Sequence, residues 1–140
     1  MKRKLIYVVV GIVLFTGAAW ASSIGGYKFI TAVELEKRIK QGPPIILIDI
    51  CPVDQFAKGH IPGSIETNAY PSKTDEEKAR LDKVMSKITA SADDVVIVCP
   101  KGGGGAKNTV DYYTSKGVSE KRLLILEQGM GGWPYEKESK

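Results

Sequence analysis

Histidine is almost absent from this 140-residue chain, where His60 stands alone. Cysteine is nearly as scarce, with only Cys51 and Cys99. Two thiols and one imidazole make no convincing metal site, and nothing points to an organic cofactor, so none is expected. A surplus of one charge is also missing. The formal net charge is +4, but Lys2, Arg3 and Lys4 sit at the extreme N-terminus and residues 1–21 hold no acids. Beyond residue 21 the balance is +1. That is a mixed solvated surface, which argues against a nucleic-acid partner. No internal repeat is present, and the length suits one domain with a single modest core.

What the chain does have begins with an export signal. The three cations precede an apolar stretch, LIYVVVGIVLFTGAAW, residues 5–20. Ala19-Trp20-Ala21 then has the small-x-small form of a signal-peptidase site. The apolar run is long for a signal peptide and slightly short of the ~20 residues that span a bilayer. Two outcomes stay open for residues 1–21: cleavage near Ala21 to give a soluble protein, or retention as an inner-membrane anchor through residues 5–20. Either places the domain outside the cytoplasmic membrane, in the periplasm if the source is bacterial. In such a compartment a Cys51–Cys99 disulfide is one reading of the two thiols.

Residues 22–27, SSIGGY, read as a flexible linker, and residues 28–140 as the domain with a short charged tail. Strands are expected at 28–30, 45–50, 64–68, 95–98 and 123–126. Thr31 with Glu34, and Thr74 with Glu77, have capping-box spacing and predict helices over 31–42 and 74–89. In the second, Leu81, Val84, Met85 and Ile88 recur at helical spacing. A third helix is predicted over 106–116, with Gly117 as its stop. IILIDI, VVIV and LLIL are short apolar runs without a polar face, as in strands covered on both sides. Their alternation with helices predicts an α/β fold: a doubly wound, mostly parallel sheet with helices on both faces.

The stretch VVIVCPKGGGGAKNT, residues 95–109, places a thiol where such sheets bind ligands, beyond the carboxyl end of a strand. Glycines let the following loop curl and aim its amides inward as an anion nest. The next helix start adds free N–H groups and a positive dipole end. Together these are expected to favour a Cys99 thiolate and to hold an anion delivered to it, without a histidine base. Lys101 adds a mobile positive charge. A Walker loop fails, because Gly105-Ala106-Lys107-Asn108 breaks the Gly-Lys-Ser/Thr order. A cysteine phosphatase would want an arginine closing the loop, and none lies between Cys99 and Asn108.

These residues resemble the rhodanese, or sulfurtransferase, family from near Phe29 to Trp133. ILIDI followed by DQFAKGHIPGSI resembles the family's strand-Asp segment and its Gly-His-Ile-Pro-Gly-Ala/Ser signature. CPKGGGG sits where the family has its active-site cysteine loop, and LEQGMGGWP resembles the closing Gly-Gly-x-x-x-Trp segment. Cys99 to Gly104 gives the loop length of the sulfur-transferring members, whereas phosphatase relatives have one more residue and an arginine. The resemblance implies a catalytic Cys99 that takes sulfur from a small anionic donor such as thiosulfate. The resulting persulfide passes its sulfur to a thiol or other thiophilic acceptor. Lys101, Gly102, Gly103, Gly104 and Gly105 would bind the substrate.

The chain departs from the family pattern at three places: Cys51 and Gly104 stand where arginines are frequent, and Gln128 replaces a glycine. The family's strand order would bring Cys51 beside Cys99, as a second thiol in a redox or persulfide relay. A non-catalytic binding module is the remaining alternative. His60 and Asp49 are expected to be structural, Trp133 core or lid, and Tyr112 and Tyr113 helix-packing residues.

Overall fold

The computed structural model describes residues 22–24 and 26–140. The signal or anchor expected over residues 1–21 lies outside the described residues. Eleven regular elements follow one another: β1 (Ser22–Ile24), β2 (Tyr27–Ile30), α1 (Ala32–Gln41), β3 (Ile45–Asp49), α2 (Val53–Lys58), β4 (Ile65–Glu66), α3 (Asp75–Asp82), α4 (Met85–Thr89), β5 (Asp94–Val98), α5 (Gly104–Ser115) and β6 (Leu123–Leu126). The sheet order is β1-β2-β6-β5-β3-β4. All neighbours are parallel except β1, which is antiparallel to β2.

The central strands β3, β5 and β6 are buried on both faces, as their apolar runs require. Ile46, Ile48, Ile50, Val95, Ile97 and Ile125 pack with Leu81, Val84 and Ile88 of the α3–α4 segment and with Val110 and Tyr113 of α5. On the other face Leu47, Val96, Val98, Leu124 and Leu126 meet Leu35 of α1, Ile61 and Trp133. Leu35 is the single buried residue of α1, and its burial contributes about 1.5–3 kcal/mol. Arg38 ties the same helix to the start of β5 through Asp94, at 2.8 Å.

Three expectations need correction. Residues 22–24 are not linker: they pair with β2 in a hairpin whose turn holds Gly26 at φ +84°. The helix expected over 74–89 breaks between Asp82 and Met85. The Leu81 carbonyl, which an unbroken helix offers to Met85, is taken by Val84 N–H at 3.1 Å and the Tyr113 hydroxyl at 3.0 Å. That tight turn lets Leu81, Val84 and Ile88 all reach the core. The strand expected at 64–68 shrinks to Ile65–Glu66, because Thr67 N–H and Oγ1 both turn to the Asp49 carbonyl. The short charged C-terminal tail packs back on the domain. Glu138 pairs antiparallel with His60, and Lys140 N–H donates to the Ala57 carbonyl at 2.9 Å.

Candidate active site

β5 sits between β6 and β3 and delivers Cys99 to the carboxyl edge of the sheet. The side chain belongs to the same apolar cluster as Ile50, Ala69 and Ala106 and is 1% exposed. Gly102 N–H donates to Cys99 Sγ at 2.9 Å. A backbone donor of this kind is strongest when the sulfur is an anion.

The loop is clamped from beneath by the turn after β6. Met130 N–H donates to the Cys99 carbonyl at 2.8 Å, and Gly131 N–H to the Pro100 carbonyl at 3.0 Å. Gly102 lies at φ +72°, and a Cβ there would stand 2.8 Å from the Leu126 carbonyl oxygen. Glycine is therefore required twice over, by conformation and by space.

α5 starts at Gly104, two residues before the expected Ala106, because consecutive glycines without side chains join the helix. Its first backbone bond runs from Lys107 N–H to Gly103 O, at 3.2 Å. The amides of Gly104, Gly105 and Ala106 thus lack intrahelical acceptors, and Gly103 supplies no side-chain cap. These donors and the helix dipole suit an anion beside Cys99. Of the five expected substrate-binding residues, Gly102 and Gly103 shape the loop and Gly104 opens the helix. Lys101 is exposed. Gly105 is buried, with the Tyr70 ring only 2.7 Å from where its Cβ would be.

Cys51 follows β3, whose Asp49 is in register with Val98. Both thiols therefore leave neighbouring strands at one edge, as the family's strand order implies. Both are buried, and no disulfide joins them in this structure. Cys51 N–H donates to Asp49 Oδ1 at 2.8 Å, while Asp49 Oδ2 is buried without a partner. Burial pushes the Asp49 carboxyl up. Burial first, then the Asp49 charge, pushes the Cys51 thiol strongly up, with a smaller contribution from Cys99. Cys51 is thus held protonated, which makes it a poor nucleophile.

Residues 31–136 match the rhodanese-like domain family. The chain belongs to that family. The Escherichia coli K12 protein YibN, uncharacterized, is 30% identical over 109 residues, which is 78% of this chain and 68% of YibN. Among solved structures, thiosulfate sulfurtransferase from Pseudomonas aeruginosa superposes with a TM-score of 0.61 at 19% identity, over 79% of this chain and 19% of that one. Ygr203w, a yeast protein tyrosine phosphatase of the rhodanese family, gives a TM-score of 0.60 at 18% identity, over 79% and 86% of the two chains. These structural likenesses concern the fold.

Other residues of this rhodanese-like chain fall where the sequence suggests, or add to it. His60 is structural: its ring stacks on Phe56, and Nδ1 lies 2.9 Å from the Phe56 carbonyl. Trp133 takes the core alternative, 3% exposed, with Nε1 donating to the Glu136 carbonyl. Tyr113 packs as expected. Among the described residues no group of three or more His, Cys, Asp or Glu side chains could hold a metal. None of the described helices is long and apolar enough to cross a membrane.

Sequence reasoning missed Tyr70. Its N–H donates to the Ile50 carbonyl at 2.8 Å. Ser72 and Thr109 share a hydroxyl bond at 2.8 Å, and Asn108 Nδ2 donates to the Pro71 carbonyl. These bonds moor the loop that carries Tyr70 against α5, and leave the ring 43% exposed beside its first turn. In the sequence it is one aromatic in an unpatterned loop, with no local signal of where the ring will lie.

Proposed function

We propose that this rhodanese-like chain is an exported sulfurtransferase working through a Cys99 persulfide. The observation that carries the reading is the Gly102 N–H bond to Cys99 Sγ, in a loop that leads directly into free helix amides. The Cys99 thiolate attacks the outer sulfur of thiosulfate. The new S–S bond forms as the old one breaks, and sulfite leaves with the electron pair. Lys101 and the free amides of Gly104, Gly105 and Ala106 neutralise the donor's negative oxygens. An acceptor thiolate then attacks the outer sulfur of the persulfide and releases the Cys99 thiolate.

The absence of an arginine between Cys99 and Asn108 favours sulfur transfer over phosphate-ester hydrolysis, which needs a bidentate grip on phosphate. The protonated Cys51 thiol speaks for a single working cysteine rather than a relay. Export rests on the three N-terminal cations and the apolar stretch before Ala21. Its two forms are a soluble periplasmic protein and one anchored to the inner membrane.

The test is to incubate the full chain with thiosulfate and map the added mass after alkylation. One extra sulfur on Cys99, absent from Cys99→Ser, is the expected result. An unmodified Cys99 with excess thiosulfate and other sulfane donors would overturn the persulfide reading and leave the binding module.

A further inference from the structure

Beside the Cys99 loop lies an open groove of about 430 Å³. Pro100, Met130 and Gly131 form its floor, and Lys58, Lys101 and Lys137 its rim. The groove is thus lined by the start of the Cys99 loop and by the turn after β6, which Gly131 N–H joins to the Pro100 carbonyl. Lys58 comes from the last turn of α2 and Lys101 from the cysteine loop. Lys137 comes from the tail, where the neighbouring Glu138 pairs with His60 and its own stem passes 3.4 Å from the Cβ position of Gly59. Three separate segments thus bring three ammonium groups to one groove.

Among the described residues no carboxylate lies within ion-pair distance of any of the three. Three acids lie near these lysines in sequence, and none of them lines the groove. Glu138 Oε2 stands 3.7 Å from His60 Nε2. The Glu136 charge acts on Lys40 of α1. Asp54 lies one turn before Lys58 on α2 and makes no ion pair with it among the described residues. The molecule is otherwise nearly balanced in charge beyond residue 21, so this cluster is a local excess and not a share of a basic surface.

We infer that the groove docks an acidic segment of a protein partner that exchanges sulfur with Cys99. All three cations are exposed on the rim, and no buried polar side chain projects from the groove wall to orient a small ligand. Such an arrangement steers and registers an extended acidic chain through screened, salt-sensitive contacts. Pro100 and Met130 offer the apolar floor on which the segment rests. This rests on the sulfurtransferase reading for the exchange itself. The partner's cysteine thiolate attacks the outer sulfur of the Cys99 persulfide. The partner S–S bond forms, the Cys99 S–S bond breaks with its electron pair on Cys99 Sγ, and no net oxidation occurs.

The test uses the full chain in neutral detergent and a short fluorescein-labelled peptide rich in glutamate, with serine in place of cysteine. Its glutamine counterpart is the control. Anisotropy should show the acidic peptide binding more tightly than the control, with the advantage shrinking as salt is raised. Lys58→Gln with Lys137→Gln should weaken acidic-peptide binding by about three- to tenfold and leave sulfur loading of Cys99 by thiosulfate unchanged. Equal binding of the two peptides, or equal binding by wild type and the double variant, overturns the inference. So does a preference for anionic phosphatidylserine vesicles over the peptide. Binding as expected without any sulfur on Cys99 sinks the sulfurtransferase reading and leaves the docking groove standing.

Discussion

A Cβ on Gly129 would stand 2.1 Å from the carbonyl oxygen of Cys99, and 2.7 and 2.8 Å from the amide nitrogens of Lys101 and Gly102. The turn after β6 therefore presses directly on the main chain of the Cys99 loop. Gly129 also holds φ +57°. Gly129→Ala should cost about 2–4 kcal/mol, because the clash is with backbone that cannot swing away. Urea denaturation measures that cost. Alkylation mapping after thiosulfate should show reduced Cys99 loading even in the folded fraction. A variant as stable and as readily loaded as wild type would mean that the clamp does not shape the site.

Gly105 and Tyr70 make a second close pair, and here the neighbour is a side chain. Gly105→Ala forces the Tyr70 ring to move, at about 1–2 kcal/mol. With Tyr70→Ala already in place, the same change should become neutral or stabilising, since alanine favours a helix by up to about 1 kcal/mol over glycine. The measurement is a double-mutant cycle in urea. Additive effects would show that the two residues do not meet.

Asp49 gives the protein a specific pH response. Burial raises its carboxyl above the ordinary aspartate value of 3.8. A raised folded value means that the protonated acid is the form the fold favours. Its contribution is complete below the ordinary value and is lost as pH rises through the folded one. Asp49→Asn does not ionise, so its stability relative to wild type should increase as pH rises from the ordinary aspartate range towards neutrality. Chemical denaturation of both proteins across that range is the check. A difference that stays flat with pH would place the titration elsewhere.

Cys51→Ala should leave persulfide formation and sulfur release within about twofold of wild type, because burial and Asp49 keep that thiol protonated. Removing one buried sulfur should cost about 1–2 kcal/mol. Single-turnover transfer to a small thiol measures the first effect and urea denaturation the second. A collapse of transfer with loading intact would restore Cys51 as a relay partner.

Much of this architecture is legible because local pattern and tertiary demand agree. IILIDI, VVIV and LLIL carry no polar face and become the central strands. Thr74 and Glu77 form the full reciprocal capping box that their spacing implies. Thr31 achieves half of one, accepting from Glu34 N–H at 3.1 Å. Cys99 is legible from the strand before it and the glycines after it. What stays hidden depends on distant partners. The break after Asp82 needs the Tyr113 hydroxyl, from a helix thirty residues on. The Tyr70 ring needs a glycine in α5 to lie against. The lysine groove is assembled from α2, the loop and the tail, and no window of sequence contains all three.

The strand order carries a consequence for biosynthesis. β6 lies between β2 and β5, so a strand that follows all the others in the chain completes the middle of the sheet. During synthesis the edge formed by β1 and β2 has no parallel neighbour to join until residues 123–126 emerge. The Cys99 thiol can be made, and its loop released from the ribosome, well before Gly129 and Met130 arrive to fasten it. An emerging chain therefore carries Cys99 uncaged until the turn after β6 has followed it, and the site takes shape only when that turn docks.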